Sequence, residues 1–192
     1  MPHPHLILAS SSPRRKDLLE KLSFPFTTYS PNVDESVSKE LSPSEIVSIL
    51  ALRKANNIAL KFPQAYIIGS DTIVVCDGIV LGKPQCREEG EQMLKQLSGR
   101  THSVYTGVAV VNTNETKVFY DKTDVEFWEL STTLINQYLD SGEPFDKAGA
   151  YGIQGYGALL VKSIIGDYYS VVGLPISRLS RILLEMGLTH PK

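Results

Sequence analysis

Asp71 lies inside the run Ile67-Ile68-Gly69-Ser70-Asp71-Thr72-Ile73-Val74-Val75, which otherwise reads as a strand buried on both faces. A carboxylate in such a place must be paired, protonated or metal-bound. Apolar surroundings favour the neutral acid, and a carboxylate poised in this way makes a useful general base near neutral pH. The alternative is a structural aspartate at a bulge beside Gly69. Lys54 is picked out by periodicity, because Ile46, Leu50, Lys54 and Ile58 stand four apart and form one row of a helix. Its ammonium either points toward an anion or snorkels from the edge of the apolar face. Lys83 sits between Gly82 and Pro84, so it is either aimed by restricted backbone or is a solvated turn lysine.

Two further segments carry chemistry. Leu6-Ile7-Leu8-Ala9 runs into Ser10-Ser11-Ser12-Pro13-Arg14-Arg15-Lys16, followed by Leu18, Leu19 and Leu22 at helical spacing. Ser12 suits an N-cap and Pro13 the first helical position. A strand ending at a helix N-terminus presents backbone N–H groups to an anion. Arg14 and Arg15 in the first turn oppose the helix dipole, a cost that a bound anion offsets. On that reading, loss of Arg15 leaves ligand-free stability equal or slightly raised. The next helix start, Ser42-Pro43-Ser44-Glu45, is a complete capping box and needs no ligand. The second segment, Asp146-Lys147-Ala148-Gly149-Ala150-Tyr151-Gly152-Ile153-Gln154-Gly155, presents Lys147 and Gln154 from irregular backbone, where binding groups often sit. Lys147 has the simpler alternative of pairing with Asp146. Arg100 and His102, flanking Thr101 at a strand entry, read as surface positions, and Glu143 reads as a turn residue.

The elements that must position these groups alternate along the chain. Strands are expected over 6–9, 24–29, 66–76, 79–81, 103–111, 116–127 and 158–164. Helices are expected from Pro13, over 43–61, 86–97 and 131–140, and from Pro175 onward, with Asp77-Gly78 as a hairpin turn. This is an α/β pattern with a mixed sheet.

The order of short motifs resembles the Maf family of nucleoside triphosphate pyrophosphatases along nearly the whole chain. The matching stretches are Leu8-Ala9-Ser10 through Arg15, Gly69-Ser70-Asp71-Thr72, Gly82-Lys83-Pro84, Leu97-Ser98-Gly99-Arg100-Thr101-His102, Thr106-Gly107-Val108, Gly142-Glu143-Pro144, the 146–155 run and Val172-Gly173-Leu174-Pro175. Ser70 stands where the family more usually has alanine. The resemblance implies a single domain over 1–192 of elongated, two-lobed, mixed-sheet form with a cleft between the lobes. It implies hydrolysis of a nucleoside triphosphate to monophosphate and pyrophosphate with Mg²⁺ or Mn²⁺. Asp71 would be the general base, with Lys54 and Lys83 completing the catalytic set. Ser12, Arg14, Arg15, Thr72, Lys147 and Gln154 would bind substrate. Glu35, in the acidic loop Val33-Asp34-Glu35, would hold the metal, against the alternative of a solvated acidic turn. Arg14, Thr72 and Gln154 resemble the branch acting on dTTP and UTP, since a second branch, acting on 7-methyl-GTP, resembles Trp, Gln and Glu there.

Composition narrows the classes. The chain of 192 residues is 42% hydrophobic and 21% charged with net charge −2, as in an ordinary globular protein and unlike a polyanion binder. No segment reads as membrane-spanning, and Met1-Pro2-His3-Pro4-His5, expected to fray, has no signal-peptide pattern. Cys76 and Cys86 read as reduced thiols of a cytoplasmic protein. The expected partner is a small nucleotide, without nucleic acid or membrane. A homodimer and a cell-division protein are further partner readings. Because the resembled family is linked to inhibition of septum formation, a nucleotide-binding regulator with little catalysis stands as the alternative. The set Asp71, Lys54 and Lys83 favours the enzyme, since a pure binder has no need of a buried base.

Overall fold

The computed structural model describes residues 5–38 and 40–189. Its elements in chain order are β1 (Leu6–Ala9), α1 (Pro13–Glu20), β2 (Phe26–Tyr29), α2 (Pro43–Ala59), β3 (Tyr66–Cys76), β4 (Ile79–Leu81), α3 (Arg87–Leu97), β5 (Thr101–Val111), β6 (Thr116–Phe127), α4 (Thr132–Asp140), β7 (Val161–Ile165), α5 (Tyr168–Val172) and α6 (Ile176–Glu185). Three 3-10 turns, Glu143–Asp146, Ala148–Ala150 and Gly155–Leu160, lie between α4 and β7. One mixed sheet of seven strands runs in the order β2-β1-β3-β5-β6-β7, with β4 paired to β3. β1 is parallel to β2 and β3, while β4 on β3 and β7 on β6 are antiparallel. The expected α/β class with a mixed sheet is therefore correct.

Two compact units divide the chain. The first holds residues 1–71, 106–121 and 173–192, and the second holds 72–105 and 122–172. In the first, Ile7, Ala9 and Ile67 of the sheet pack on Ala51, Ala55 and Ile58 of α2. That packing is unusually close at two glycines. A Cβ on Gly69 would lie 2.2 Å from the Ala51 carbonyl oxygen, and one on Gly107 would lie 2.3 Å from the Val47 carbonyl oxygen. In the second unit, Met93, Leu94 and Leu97 of α3 meet Val74, Val104, Val125 and Phe127 of the strands.

The departures from expectation have local causes. β2 begins at Phe26 rather than 24, because Pro25 has no N–H to give the ladder that opens at Leu6↔Phe26. β7 begins at Val161, since Gly155–Leu160 turns instead of extending. β5 begins two residues early, at Thr101. The helix α5 was not expected from its β-favouring sequence, but the Asp167 carboxylate accepts from the N–H groups of Tyr169 (3.2 Å) and Ser170 (3.0 Å) and caps it. Asp77 and Gly78 adopt φ of 51° and 77°, as a primed hairpin turn requires. His5 does not fray: its Nε2 is 2.9 Å from Thr27 Oγ1 and its ring stands edge-on to Phe62. His3 lies outside the described residues. Among the described residues no helix is long and apolar enough to cross a membrane, and both cysteines are unbridged.

The close approach of α2 makes a prediction. Gly69→Ala and Gly107→Ala each drive a methyl group into backbone, and each should cost about 3 kcal/mol of unfolding free energy, the upper part of the overpacking range. Gly82→Ala, with nothing within 4 Å of its Cβ position, should change stability little. Urea unfolding of the three variants measures the difference.

Candidate active site

α2 brings Lys54 to Asp71. The row Ile46, Leu50, Lys54, Ile58 is buried as the spacing predicts, and Lys54 is carried inward with its apolar neighbours. Its Nζ donates to Asp71 Oδ1 at 2.6 Å and lies 2.8 Å from Glu35 Oε1. Both side chains of the Lys54–Asp71 pair are 11% exposed, whereas the Glu35 side chain is 61% exposed. Asp71 is thus ion-paired in the continuous strand β3, and the expectation that a carboxylate there needs a partner is met.

Glu35 is presented by a loop that α2 also holds. Arg53 Nη1 donates to the carbonyls of Asp34 (3.1 Å) and Ser36 (2.7 Å), on either side of Glu35. One helical turn on, Asn57 exchanges two bonds with the backbone of Asn32. Asp34 turns inward on its own loop, accepting from the Ser36 hydroxyl and N–H, which holds its carboxyl below the usual range. The two neighbouring acids are therefore distinguished: Asp34 shapes the loop, and Glu35 faces Lys54.

At the first helix, Ser12 caps α1 and Arg15 N–H donates to its hydroxyl at 3.5 Å, the outer limit of a hydrogen bond. The first turn has no acidic residue, while α2 carries the full Ser42–Glu45 capping box. The contrast between the two starts holds, although the first is partly satisfied by its own serine. Arg15 also has a bond within the protein. Its Nε donates to the Gly173 carbonyl at 2.8 Å, the same oxygen that accepts from Ser70 Oγ at 3.0 Å. Burial lowers the proton affinity of Arg15, the Asp71 and Glu35 carboxylates raise it again, and Arg14 lowers it. Arg14 is half-buried in the same turn. Ser70 is fully buried and its Oγ is also 3.0 Å from the Gly107 carbonyl, so its one hydroxyl proton is shared between two segments and ties them together.

The second unit holds the remaining candidates. β3 carries the chain from Asp71 to the half-buried Thr72, where this unit starts. Lys83 is exposed between Gly82 and the buried Pro84, and Gly149 N–H donates to the Gly82 carbonyl at 2.9 Å. That bond brings the Lys83 segment against the 146–155 run. Lys147 pairs with Asp146 at 2.6 Å and donates to the Glu143 carbonyl. Gln154 is exposed, at the start of the Gly155–Leu160 turn. Glu143, read from sequence as a turn residue, has its carboxylate on the N–H groups of Tyr156 and Gly157.

His102 is not at the surface as expected. It is 2% exposed, and its Nε2 lies 2.7 Å from the Tyr151 hydroxyl, while Nδ1 has no partner among the described residues. Phe127 and Tyr151 both stand edge-on to its ring. The signal was present in the alternation of β5, which turns His102 and Val104 to the same inward face once the strand starts at Thr101. Burial holds the imidazole down at about 4, with the Asp124 carboxylate opposing weakly.

Among the described residues no group of three or more His, Cys, Asp or Glu side chains is placed to cage a metal ion. The oxygen donors that do converge are Glu35 and Asp71, on either side of one ammonium. Glu35, the more exposed of the two, is a carboxylate of the kind that holds Mg²⁺ together with substrate phosphates and waters.

The fold is similar to that of the Ham1 protein of Staphylococcus aureus, with TM-score 0.53 and 14% identity over 95% of this chain and 99% of that one. It is also similar to a HAM1 protein from Coxiella burnetii, with TM-score 0.54 and 16% identity over 95% and 99%. Sequence comparison is more specific: the chain belongs to the Maf-like protein family, matched over residues 5–186. A relative in Symbiobacterium thermophilum is 53% identical, covering 95% of this chain and 94% of its own, and is named dTTP/UTP pyrophosphatase. Relatives of the same name in Bacillus pumilus (50% identical, 96% and 97% covered) and Bacillus cereus (51%, 96% and 98%) extend the likeness.

Two predictions rest on this geometry. Arg15→Ala removes a bond from a charged donor to the Gly173 carbonyl, so ligand-free stability should fall by about 2 kcal/mol instead of staying level. A denaturant titration without nucleotide reads it, and decides between this outcome and the one expected from the helix dipole alone. The second concerns pH. The unfolded chain protonates His102 near 6.5, the folded chain only near 4. Stability from the neutral ring is complete above 6.5 and is lost as pH falls through that window, by about 3 kcal/mol at the lower end. His102→Gln should flatten this part of the stability–pH curve, measured by urea midpoints between pH 7 and pH 4.

Proposed function

We propose that this chain hydrolyses dTTP and UTP to the nucleoside monophosphate and pyrophosphate. The observation that carries the reading is the buried Lys54–Asp71 pair, 2.6 Å long, with Glu35 on the same ammonium. A binding module has use for cations but not for a carboxylate held inside an apolar strand. Membership of the Maf-like family and the shared name of relatives about half identical support the substrate class.

In this reading Lys54 fixes the Asp71 carboxylate through Oδ1, and Oδ2 accepts a proton from water. The water oxygen forms a bond to the α-phosphorus, the bond from that phosphorus to the bridging oxygen breaks, and the electron pair leaves with pyrophosphate. Arg14, Arg15 and Lys83 bind the triphosphate as cations, with Ser12 and the N–H groups of the first α1 turn. Glu35, with phosphate oxygens and water, would hold Mg²⁺ or Mn²⁺, which supplies charge neutralisation on the triphosphate. Gln154 reads the base. Uracil and thymine offer an N3–H donor beside the O4 acceptor, and one amide satisfies both, oxygen to N3–H and nitrogen to O4. Cytosine reverses the two roles, so a mismatch leaves polar groups opposed at roughly 1–3 kcal/mol each. Thr72 and Arg14 complete the base-reading set.

Asp71→Asn keeps the shape and removes the base. Its rate of pyrophosphate release from UTP should fall by roughly 10²–10⁴-fold. Retained activity, or orthophosphate released in place of pyrophosphate by the wild type, contradicts the assignment.

A further inference from the structure

The Glu143 carboxylate faces backbone. Oε1 accepts from Tyr156 N–H at 3.0 Å and Oε2 from Gly157 N–H at 3.4 Å. These N–H groups open the 3-10 turn whose N-cap residue is Gln154, and that turn has no cap bond from its own N-cap side chain. Gly155 stands at φ 64°, and a Cβ there would lie 2.7 Å from Glu143 Oε1. Glycine is required here by its left-handed backbone, and the missing Cβ also leaves room for the carboxylate. The main chain of Glu143 holds the other end of the run, its carbonyl accepting from Lys147 Nζ. Between the two, the Tyr138 hydroxyl accepts from Gly152 N–H at 3.1 Å. The backbone around Gln154 is therefore bonded on both sides while the Gln154 side chain is exposed.

We propose that Glu143 is a positioning residue for base selection: it caps the turn that starts at Gln154 and so fixes the direction from which the amide meets a pyrimidine edge. The proposal rests on the base-reading role given to Gln154 above. An amide separates uracil from cytosine only if it can neither reverse nor shift. A carboxylate suits the capping task because two donors face two acceptor oxygens. A glutamine at 143 turns an NH₂ donor toward one of those N–H groups, and the turn loses a bond without losing volume.

The test is kcat/KM for UTP and CTP in the wild type, Glu143→Gln, Gly155→Ala, Gln154→Ala and the Glu143→Gln/Gln154→Ala double variant. Glu143→Gln should lower the UTP/CTP ratio about tenfold, the scale set by one misplaced polar contact. The loss should fall on UTP, with KM rising more than kcat falls. Gly155→Ala, which strains the turn itself as well as crowding the carboxylate, should act in the same direction. Glu143→Asp, which keeps both acceptor oxygens on a shorter arm, should lower the ratio less than Glu143→Gln and decides the matter if Glu143→Gln does not fold. The double variant should match Gln154→Ala, since both changes act through one amide. Equal losses for UTP and CTP in the position-143 and position-155 variants, with Gln154→Ala still lowering the ratio, overturn the role of Glu143 and leave Gln154 standing. A wild-type ratio near one, or no change in Gln154→Ala, overturns the base-reading role and this proposal with it.

Discussion

Where α2 crosses the sheet, carbonyl oxygens of the helix come so near two strands that no side chain fits between them: Gly69 faces Ala51 and Gly107 faces Val47. The consequence reaches beyond packing. Lys54 follows Ala51 on the helix and Asp71 follows Gly69 on β3, so the spacing set at the glycines sets the reach between ammonium and carboxylate. A helix held at an ordinary helix–sheet distance by larger side chains would leave the pair too far apart for the 2.6 Å contact. Ala51 and Ala55, fully buried on the same face, keep the helix side of the contact equally small. The sequence thus gives up side-chain volume in the core to place a charge.

That charge is shared unequally. Lys54 and Asp71 are both nearly out of water, and a buried ion pair gains little over an apolar pair of the same size, because desolvation cancels much of the attraction. Removing one partner is another matter, since the remaining charge has no solvent to turn to. Glu35 completes the arrangement from the solvent side, and its loop is fixed by Arg53 and Asn57 from the exposed edge of the same helix. One helix therefore holds the buried cation, the partly exposed acid and the backbone that carries it. An ammonium between two carboxylates is costly as a stabilising device, and the function proposed above gives it a use, as the place where a metal cation and a polyphosphate would meet.

Much of this was legible in the sequence. A charged residue in an apolar strand, and another in the apolar row of a helix, identified Asp71 and Lys54 because hydrophobic periodicity leaves few explanations for a charge on the inner face. The Asp77-Gly78 hairpin and the capping box at Ser42 were legible because turn and cap chemistry is local. What escaped reading was non-local. A glycine inside a strand announces a bulge or a close approach without saying which, and nothing near Gly69 in sequence points to Ala51. Arg53 and Asn57 look like solvated helix residues until the loop that they clamp is known. A strand expected from Ser103 leaves His102 outside the alternation, whereas the actual start at Thr101 puts it in inward register with Val104. The helix dipole around Arg15 is local and legible, whereas its bond to Gly173, far along the chain, is not.

The two halves of the proposed chemistry use different physics. Phosphate handling depends on charge, tolerates some motion of long side chains, and is served by arginines and lysines on helices and turns. Base reading depends on the direction of one amide and tolerates little. The 146–155 run, to which the proposal gives the second task, is held by backbone bonds: Gly149 to Gly82, Gly152 to the Tyr138 hydroxyl, and the turn after Gln154 to Glu143. Tyr151 adds a buried side-chain tie to His102, and burial pushes its phenol up, so it stays a neutral hydrogen-bonding group through the working pH range. A loop rich in glycine would ordinarily be mobile. Here the glycines give the backbone the shapes it needs, and the bonds to fixed side chains supply the rigidity that glycine alone cannot.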